Sequence, residues 1–229
     1  VPLLEKLGLA VTPIFMIPGL MIGLLLWFSS RHLQLTAQQG KSLSIVPDLK
    51  QHWRELSKIM GIVALRSLTY FSLISFLPLY LRQSGISLVV GSRLVFLMLF
   101  AGSLGGLAGG MLADMYGRKR IAVISLCIAS PLFYFFSVTS GMVSIVLLGL
   151  AGAFLLATFS VTVTLAHKEI EKNAGLASGL MLGFGTGIGG LGVGLLGRLA
   201  DIAGISLVVN ILFWLPLAGG LLAFKLKNE

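Results

Sequence analysis

The chain has 229 residues, 56% of them apolar and only 11% charged, and its mean hydropathy is +0.99. Soluble domains carry roughly 25% charged residues, so this composition excludes a soluble globular class and fits a polytopic membrane protein. Lys and Arg number 17 against 8 Asp and Glu, a net charge of +9, but the cations stand in short clusters at the ends of apolar runs. That placement excludes a nucleic-acid-binding face and points to anchoring at a membrane surface.

Seven apolar runs approach or exceed the roughly 20 residues needed to cross a bilayer. They are Leu7–Phe28, Ile59–Leu81, Leu88–Leu112, Ile121–Thr139, Met142–Ala166, Ala174–Leu196 and Ile205–Phe224. The chain is therefore expected to be an all-α polytopic membrane protein with seven transmembrane helices. The first run lacks a cleavage site of small residues and reads as a span, not a signal peptide. Twelve cations fall on one side of the spans: Arg31, Lys41, Lys50, Arg54, Lys58, Arg118, Lys119, Arg120, Lys168, Lys172, Lys225 and Lys227. Four fall on the other: Lys6, Arg82, Arg93 and Arg198. By the positive-inside rule the larger group is cytoplasmic, which puts the N-terminus and Ser140 outside and Ser44 and the C-terminus inside.

Residues 29–57 form the one long connection, a cytoplasmic linker between a first helix within 1–28 and a six-helix bundle over 58–229. Within it Pro47-Asp48 predicts a helix start with Asp48 as N-cap. Leu49, Trp53, Leu56 and Met60 then recur at helical spacing, with Lys50, Arg54 and Lys58 on other faces. The pattern predicts a short amphipathic helix lying on the inner leaflet ahead of the second span.

In the second span, Arg66 is the one ionisable side chain well inside a run, about 10 Å beyond Ile59 at 1.5 Å per residue. An intramembrane arginine marks a functional site by default, unless it snorkels to the headgroups. Tyr70, four residues on, shares its face. The pair suits an anionic or amphipathic substrate, because the guanidinium offers a fixed cationic fork. In the fifth span Thr158 and Thr162 share a face with Phe154 and are further cavity candidates, while Ser160 and Thr164 form a rival face. All eight acids lie in loops or near span ends, so the carboxylate that carries protons in many transporters is expected elsewhere. His52 and His167 sit at inner edges. No cluster of His, Asp, Glu and Cys lies at membrane depth, so an intramembrane enzyme has no support, and the reading calls for no metal and no cofactor.

Glycines form stripes on two spans. In the third, Gly102, Gly105, Gly106, Gly109 and Gly110 share one helical face; in the sixth, Gly175, Gly179, Gly183 and Gly187 step by four and Gly190, Gly194 and Gly197 continue. Small residues let helix backbones approach closely in lipid, so these stripes predict tightly packed or sliding neighbours. The same two spans end on matching octapeptides. Gly110-Met111-Leu112-Ala113-Asp114-Met115-Tyr116-Gly117 pairs with Gly197-Arg198-Leu199-Ala200-Asp201-Ile202-Ala203-Gly204. Each closes the middle helix of a three-helix group, so the spans after the linker read as two such groups of opposite orientation, an inverted repeat. The first copy continues as Arg118-Lys119-Arg120 and the second as Ile205-Ser206, as the positive-inside rule requires if they lie on opposite sides.

The Gly110–Arg120 stretch, G-x-L-A-D-x-x-G-R-K-R between two spans, resembles the signature loop of the major facilitator superfamily of transporters. Leu65-Arg66-Ser67 through Phe76-Leu77-Pro78-Leu79-Tyr80-Leu81 resembles the second half of a major facilitator. Gly175-Leu176-Ala177-Ser178-Gly179-Leu180, with Gly189-Gly190 and Gly197-Arg198-Leu199-Ala200-Asp201, is similar to the fosmidomycin-resistance group. The resemblance covers nearly the whole chain and aligns its spans with the sixth to the twelfth of twelve. It implies a major facilitator fold, with an N-terminal bundle as partner and this chain forming one wall of a substrate site plus one extra helix. It further implies that Asp114 and Arg118 act as a cytoplasmic latch between bundles, with Gly110 and Gly117 allowing close approach and Lys119 and Arg120 completing the basic triplet. Met115 departs from the pattern, where a basic residue is common. The implied activity is secondary active export of a small drug-like or phosphonate-type compound in exchange for protons, across a bacterial inner membrane. Metabolite uptake on the same fold, or a non-transporting truncated scaffold, are the alternatives.

Overall fold

The computed structural model describes residues 16–30, 45–170 and 173–226. The chain divides into two compact units, Val1–Leu43 and Ser44–Glu229. The described part of the first is helix α1, Met16–Ser30, in which no residue is charged. The predicted start of that span, from Leu7, lies outside the described residues.

The second unit is a bundle of six helices: α2 (Ile45–Gln83), α3 (Leu88–Tyr116), α4 (Arg118–Val138), α5 (Gly141–Glu169), α6 (Ala174–Ala203) and α7 (Ile205–Ala223). All six are long and apolar enough to cross a membrane. Their outer faces stay apolar, with Phe96, Leu107, Met115, Leu191 and Leu195 exposed, because in lipid the solvent is as apolar as the core. The surface helix foreseen around residues 48–58 is not a separate element. It runs without a break into the second span as one 39-residue helix, and Leu56 is buried in the bundle rather than laid on a surface. Asp48 is likewise not the N-cap, since α2 begins at Ile45. Pro47 falls in the first turn of α2, where a missing N–H breaks no helical bond.

The core holds an aromatic group in which Phe213 of α7 stacks on Phe133 of α4 at 5.6 Å and meets Phe136 edge-on at 6.3 Å. The run Phe133-Tyr134-Phe135-Phe136 is thus divided by helical geometry: Phe133 and Phe136 are buried, while Tyr134 and Phe135 face outward.

The two three-helix groups, α2–α4 and α5–α7, pack with matching pairings. The pairing of α3 on α5 is mirrored by α6 on α2, and that of α4 on α5 by α7 on α2. Close contacts follow the repeat residue by residue. The offset that carries Gly110 onto Gly197 also carries Gly102 onto Gly189 and Gly105 onto Gly192. A Cβ on Gly102 would lie 2.6 Å from Leu156 Cδ1 of α5, and one on Gly105 would overlap the Ala153 carbonyl. Correspondingly, a Cβ on Gly189 would overlap Phe71 of α2 and one on Gly192 would overlap Leu68.

The hairpins alternate in direction, so the Gly117 and Gly204 turns lie at opposite ends of the bundle. At the Gly117 end Lys119 Nζ donates to the Leu226 carbonyl, and Lys58 Nζ donates to the Lys225 carbonyl at 2.9 Å. Both bonds place positive charge just past the C-terminal end of α7, where the helix dipole favours it. At the other end Ser206 Oγ meets Gln83 Oε1 at 3.1 Å.

Candidate functional site

Three helices open a cavity of about 260 Å³ inside the bundle. Arg66, Ser67, Tyr70 and Phe71 line it from α2, Leu156 and Phe159 from α5, and Met181, Leu182, Gly185 and Thr186 from α6. Each set follows the i, i+3, i+4 rhythm of one helical face. α6 reaches this wall because Gly185 has no side chain: a Cβ there would lie 3.0 Å from both Ser67 Oγ and Val63 Cγ1.

Arg66 dominates the electrostatics. It is only 5% exposed, enclosed by the bundle and not extended along its surface towards a helix end. Its Nη2 donates to Ser67 Oγ at 3.1 Å, and its guanidinium carbon stands 4.8 Å from the Phe159 ring centroid. Nε and Nη1 are buried with no hydrogen-bond partner. A buried cation is tolerated only when paired or hydrogen-bonded, and a cation–π contact supplies a small part of that. The ion pairs Lys58–Glu55 and Arg118–Asp114 lie elsewhere, and Arg66 makes none with the described residues. The cavity therefore has an unmet positive charge on one side and an aromatic, apolar lining on the other, which is chemistry suited to holding an oxyanion with an apolar body.

Arg66 and Tyr70 come together as their spacing predicts. Thr158 and Thr162 do not join them. Thr158 Oγ1 is 2.9 Å from Ser125 Oγ of α4, and Thr162 Oγ1 donates to the Thr158 and Phe159 carbonyls at 3.0 Å each. The rival face fares no better, since Ser160 Oγ donates to the Gly106 carbonyl at 2.8 Å and Thr164 Oγ1 to the Ser160 carbonyl at 2.6 Å. The cavity wall of α5 is the stripe between them, Leu156 and Phe159. A hydroxyl is a poor guide in an apolar helix because it can bond back to its own backbone.

The second candidate is the turn at Gly117. The residue has φ 94 and ψ 135, a left-handed φ that glycine adopts without strain. It alone separates α3 from α4. Asp114 Oδ1 stands 3.8 Å from Arg118 Nη2 across the turn, with the Asp114 side chain 70% exposed. The basic triplet divides: Lys119 turns inward to the end of α7, whereas Arg120 is exposed. Gly110 lies against Ser160, whose Cβ would be 3.5 Å from a Cβ there.

The sequence model of the Major Facilitator Superfamily matches residues 3–192. The chain belongs to that superfamily. Among relatives, it is 31% identical over 207 residues to the fosmidomycin resistance protein of Escherichia coli (strain K12), covering 89% of this chain and 50% of that protein. It is 32% identical over 144 residues to the uncharacterized MFS-type transporter YfnC of Bacillus subtilis (strain 168), covering 63% of this chain and 35% of that protein. The chain thus spans about half the length of the relatives it matches.

In this major facilitator bundle the two glycine stripes have different surroundings. On α3, Gly102, Gly105 and Gly109 press against α5, and Gly106 has the Leu156 carbonyl 3.5 Å from its would-be Cβ. On α6 the stripe of Gly175, Gly179 and Gly183 has no atom within 4 Å. Packing there is carried instead by Gly185, Gly189 and Gly192, the face turned to α2. Among the described residues of this bundle the first three have no close neighbour. Ser67, Phe159 and Gly185, which shape the Arg66 cavity, were not singled out by the sequence; the signal available was the helical register of Arg66 and a second glycine face of α6, Gly185, Gly189 and Gly192, at i, i+4 and i+7.

Proposed function

We propose that this chain is the C-terminal part of a proton-coupled exporter, with its substrate held at the Arg66 cavity. The observation that supports it is the buried guanidinium with two nitrogens unpartnered, with no ion pair to an acid among the described residues. A small amphipathic anion, of drug-like or phosphonate type, would meet that need with its oxyanion on Arg66 and its apolar part on Phe71, Phe159 and Met181, with Tyr70 at the same wall. The name of the Escherichia coli relative favours efflux and makes fosmidomycin the first probe to try. An N-terminal bundle supplies the facing wall and the proton-carrying carboxylate. The Gly117 end lies in the cytoplasm, because the basic residues cluster there. Asp114, with Arg118, holds that end shut by engaging the other bundle, so the site opens alternately to each side.

The test is transport by the complete, longer protein in proteoliposomes under an imposed pH gradient. Proton-driven movement of fosmidomycin, abolished by Arg66→Ala and only partly restored by Arg66→Lys, is the expected result. Lys can match the charge but not the planar fork. Arg66→Ala transporting like wild type would end the assignment of the site. Accumulation instead of extrusion would favour metabolite uptake on the same fold.

A further inference from the structure

The Gly117 turn has a structural double. Gly204 closes α6 with φ 90 and ψ 148, against φ 94 and ψ 135 at Gly117. Its N–H bonds the Ala200 carbonyl at 2.9 Å, as Gly117 N–H bonds the Ala113 carbonyl at 3.0 Å. The helices they end have 30 and 29 residues, and each glycine is the sole residue before the next helix begins. Ala200 and Ala113 are both buried, at 9% and 3% exposure, while Asp201 and Asp114 both face outward. Two turns that agree in sequence, torsions, hydrogen bonding and burial present their carboxylates in the same way, at opposite ends of the bundle.

Neither carboxylate is explained by its own helix. Each sits in the last turn, where the macrodipole disfavours an anion, and the glycine makes the turn without it. Asp114 has partial compensation from Arg118 at 3.8 Å. At the second copy the equivalent of Arg118 is Ile205, and Asp201 makes no hydrogen bond or ion pair with the described residues. Arg198, three residues earlier on α6, makes no ion pair with it among the described residues, so this outward-facing carboxylate stays open to a positive group of another bundle.

We propose that Asp201 is a second latch, engaging the N-terminal end of a helix in the other bundle and holding the Gly204 side shut whenever the Gly117 side is open. This rests on the reading of Asp114 as the latch of the Gly117 side. The inverted repeat then has a mechanical meaning: one device, used once at each end, whose two forms compete.

In the complete transporter, with native cysteines replaced, a reporter Thr186→Cys in the cavity is labelled with an impermeant thiol reagent. Labelling is measured from outside in intact cells and from the cytoplasmic side in inverted vesicles, with labelling after denaturation confirming equal insertion. Asp201→Asn should raise labelling from the Gly204 side roughly two- to fivefold, the ratio expected from losing a surface carboxylate–helix N-terminus interaction. Asp114→Asn should raise labelling from the opposite side, the double variant should restore the wild-type ratio, and Asp201→Glu should behave as wild type. Asp201→Asn leaving both sides unchanged, or shifting labelling in the same direction as Asp114→Asn, would overturn the proposal. An effect of Asp201→Asn without one of Asp114→Asn would support the second latch and remove the first.

Discussion

A cation without a counter-charge identifies itself by the stability it costs. Arg66 is buried beside a serine and a phenylalanine, with two nitrogens unpaired. Replacing a buried charge of this kind with an apolar side chain of similar length often stabilises a protein by about 1–4 kcal/mol. Arg66→Met is therefore expected to raise the unfolding temperature of the purified protein in detergent while abolishing transport, the signature of a residue kept for function. A lower unfolding temperature would make Arg66 a structural residue. Ligand linkage gives a second check: an anionic substrate should raise the unfolding temperature of the wild type and leave that of Arg66→Met unmoved.

Glycine stripes behave according to what faces them. A Cβ on Gly105 would meet the Ala153 backbone, which cannot rotate aside, so Gly105→Ala should force α3 from α5 and destabilise the bundle by about 1–3 kcal/mol. Gly183 has open space, and Gly183→Ala should be neutral or stabilise by up to about 1 kcal/mol through helix propensity. Denaturation of the two variants in mild detergent compares them directly. If α6 meets the other bundle along Gly175, Gly179 and Gly183, Gly183→Ala will nevertheless slow transport by the complete protein. Equal stability losses for both variants would show that the α6 stripe is packed within this bundle.

Orientation belongs to the whole molecule, because it is set by the sum of charges at the ends of every helix. Lys58, Arg118, Lys119, Lys168 and Lys225 gather at one end, against Arg82, Arg93 and Arg198 near the other. With Cys127 replaced, Ser140→Cys should react with an impermeant thiol reagent in intact cells and Lys168→Cys only in inverted vesicles. The reverse pattern would invert the topology and with it the side that each turn closes. Expressed alone in an exporter-deficient strain, the chain should insert but give no proton-dependent efflux. One wall of a cavity cannot alternate between two openings, and robust efflux would refute the two-bundle reading.

The long apolar runs determined the all-α membrane class and the place of each helix by themselves, since a bilayer demands about 20 apolar residues and satisfied backbone bonds whatever the neighbours are. They did not determine where helices run past the apolar stretch, as α2 does back to Ile45 and α6 on to Ala203. The repeat of Gly110–Gly117 at Gly197–Gly204 was equally legible, because a positive-φ glycine leaves its mark in the sequence. Charge at Lys50, Arg54 and Lys58 suggested a separate surface helix, but polarity marks where a helix leaves the lipid, not where it stops. Helix α2 simply continues through these residues without a break. Side selection was beyond the sequence. With apolar residues facing both lipid and core, hydrophobic periodicity is erased, so neither the turning of Thr158 to Ser125 nor the placement of Phe159 over Arg66 could be read from spacing. The choice of Gly185, Gly189 and Gly192 over Gly175, Gly179 and Gly183 likewise depended on which helix passes close by, a property of packed neighbours that only the tertiary structure decides.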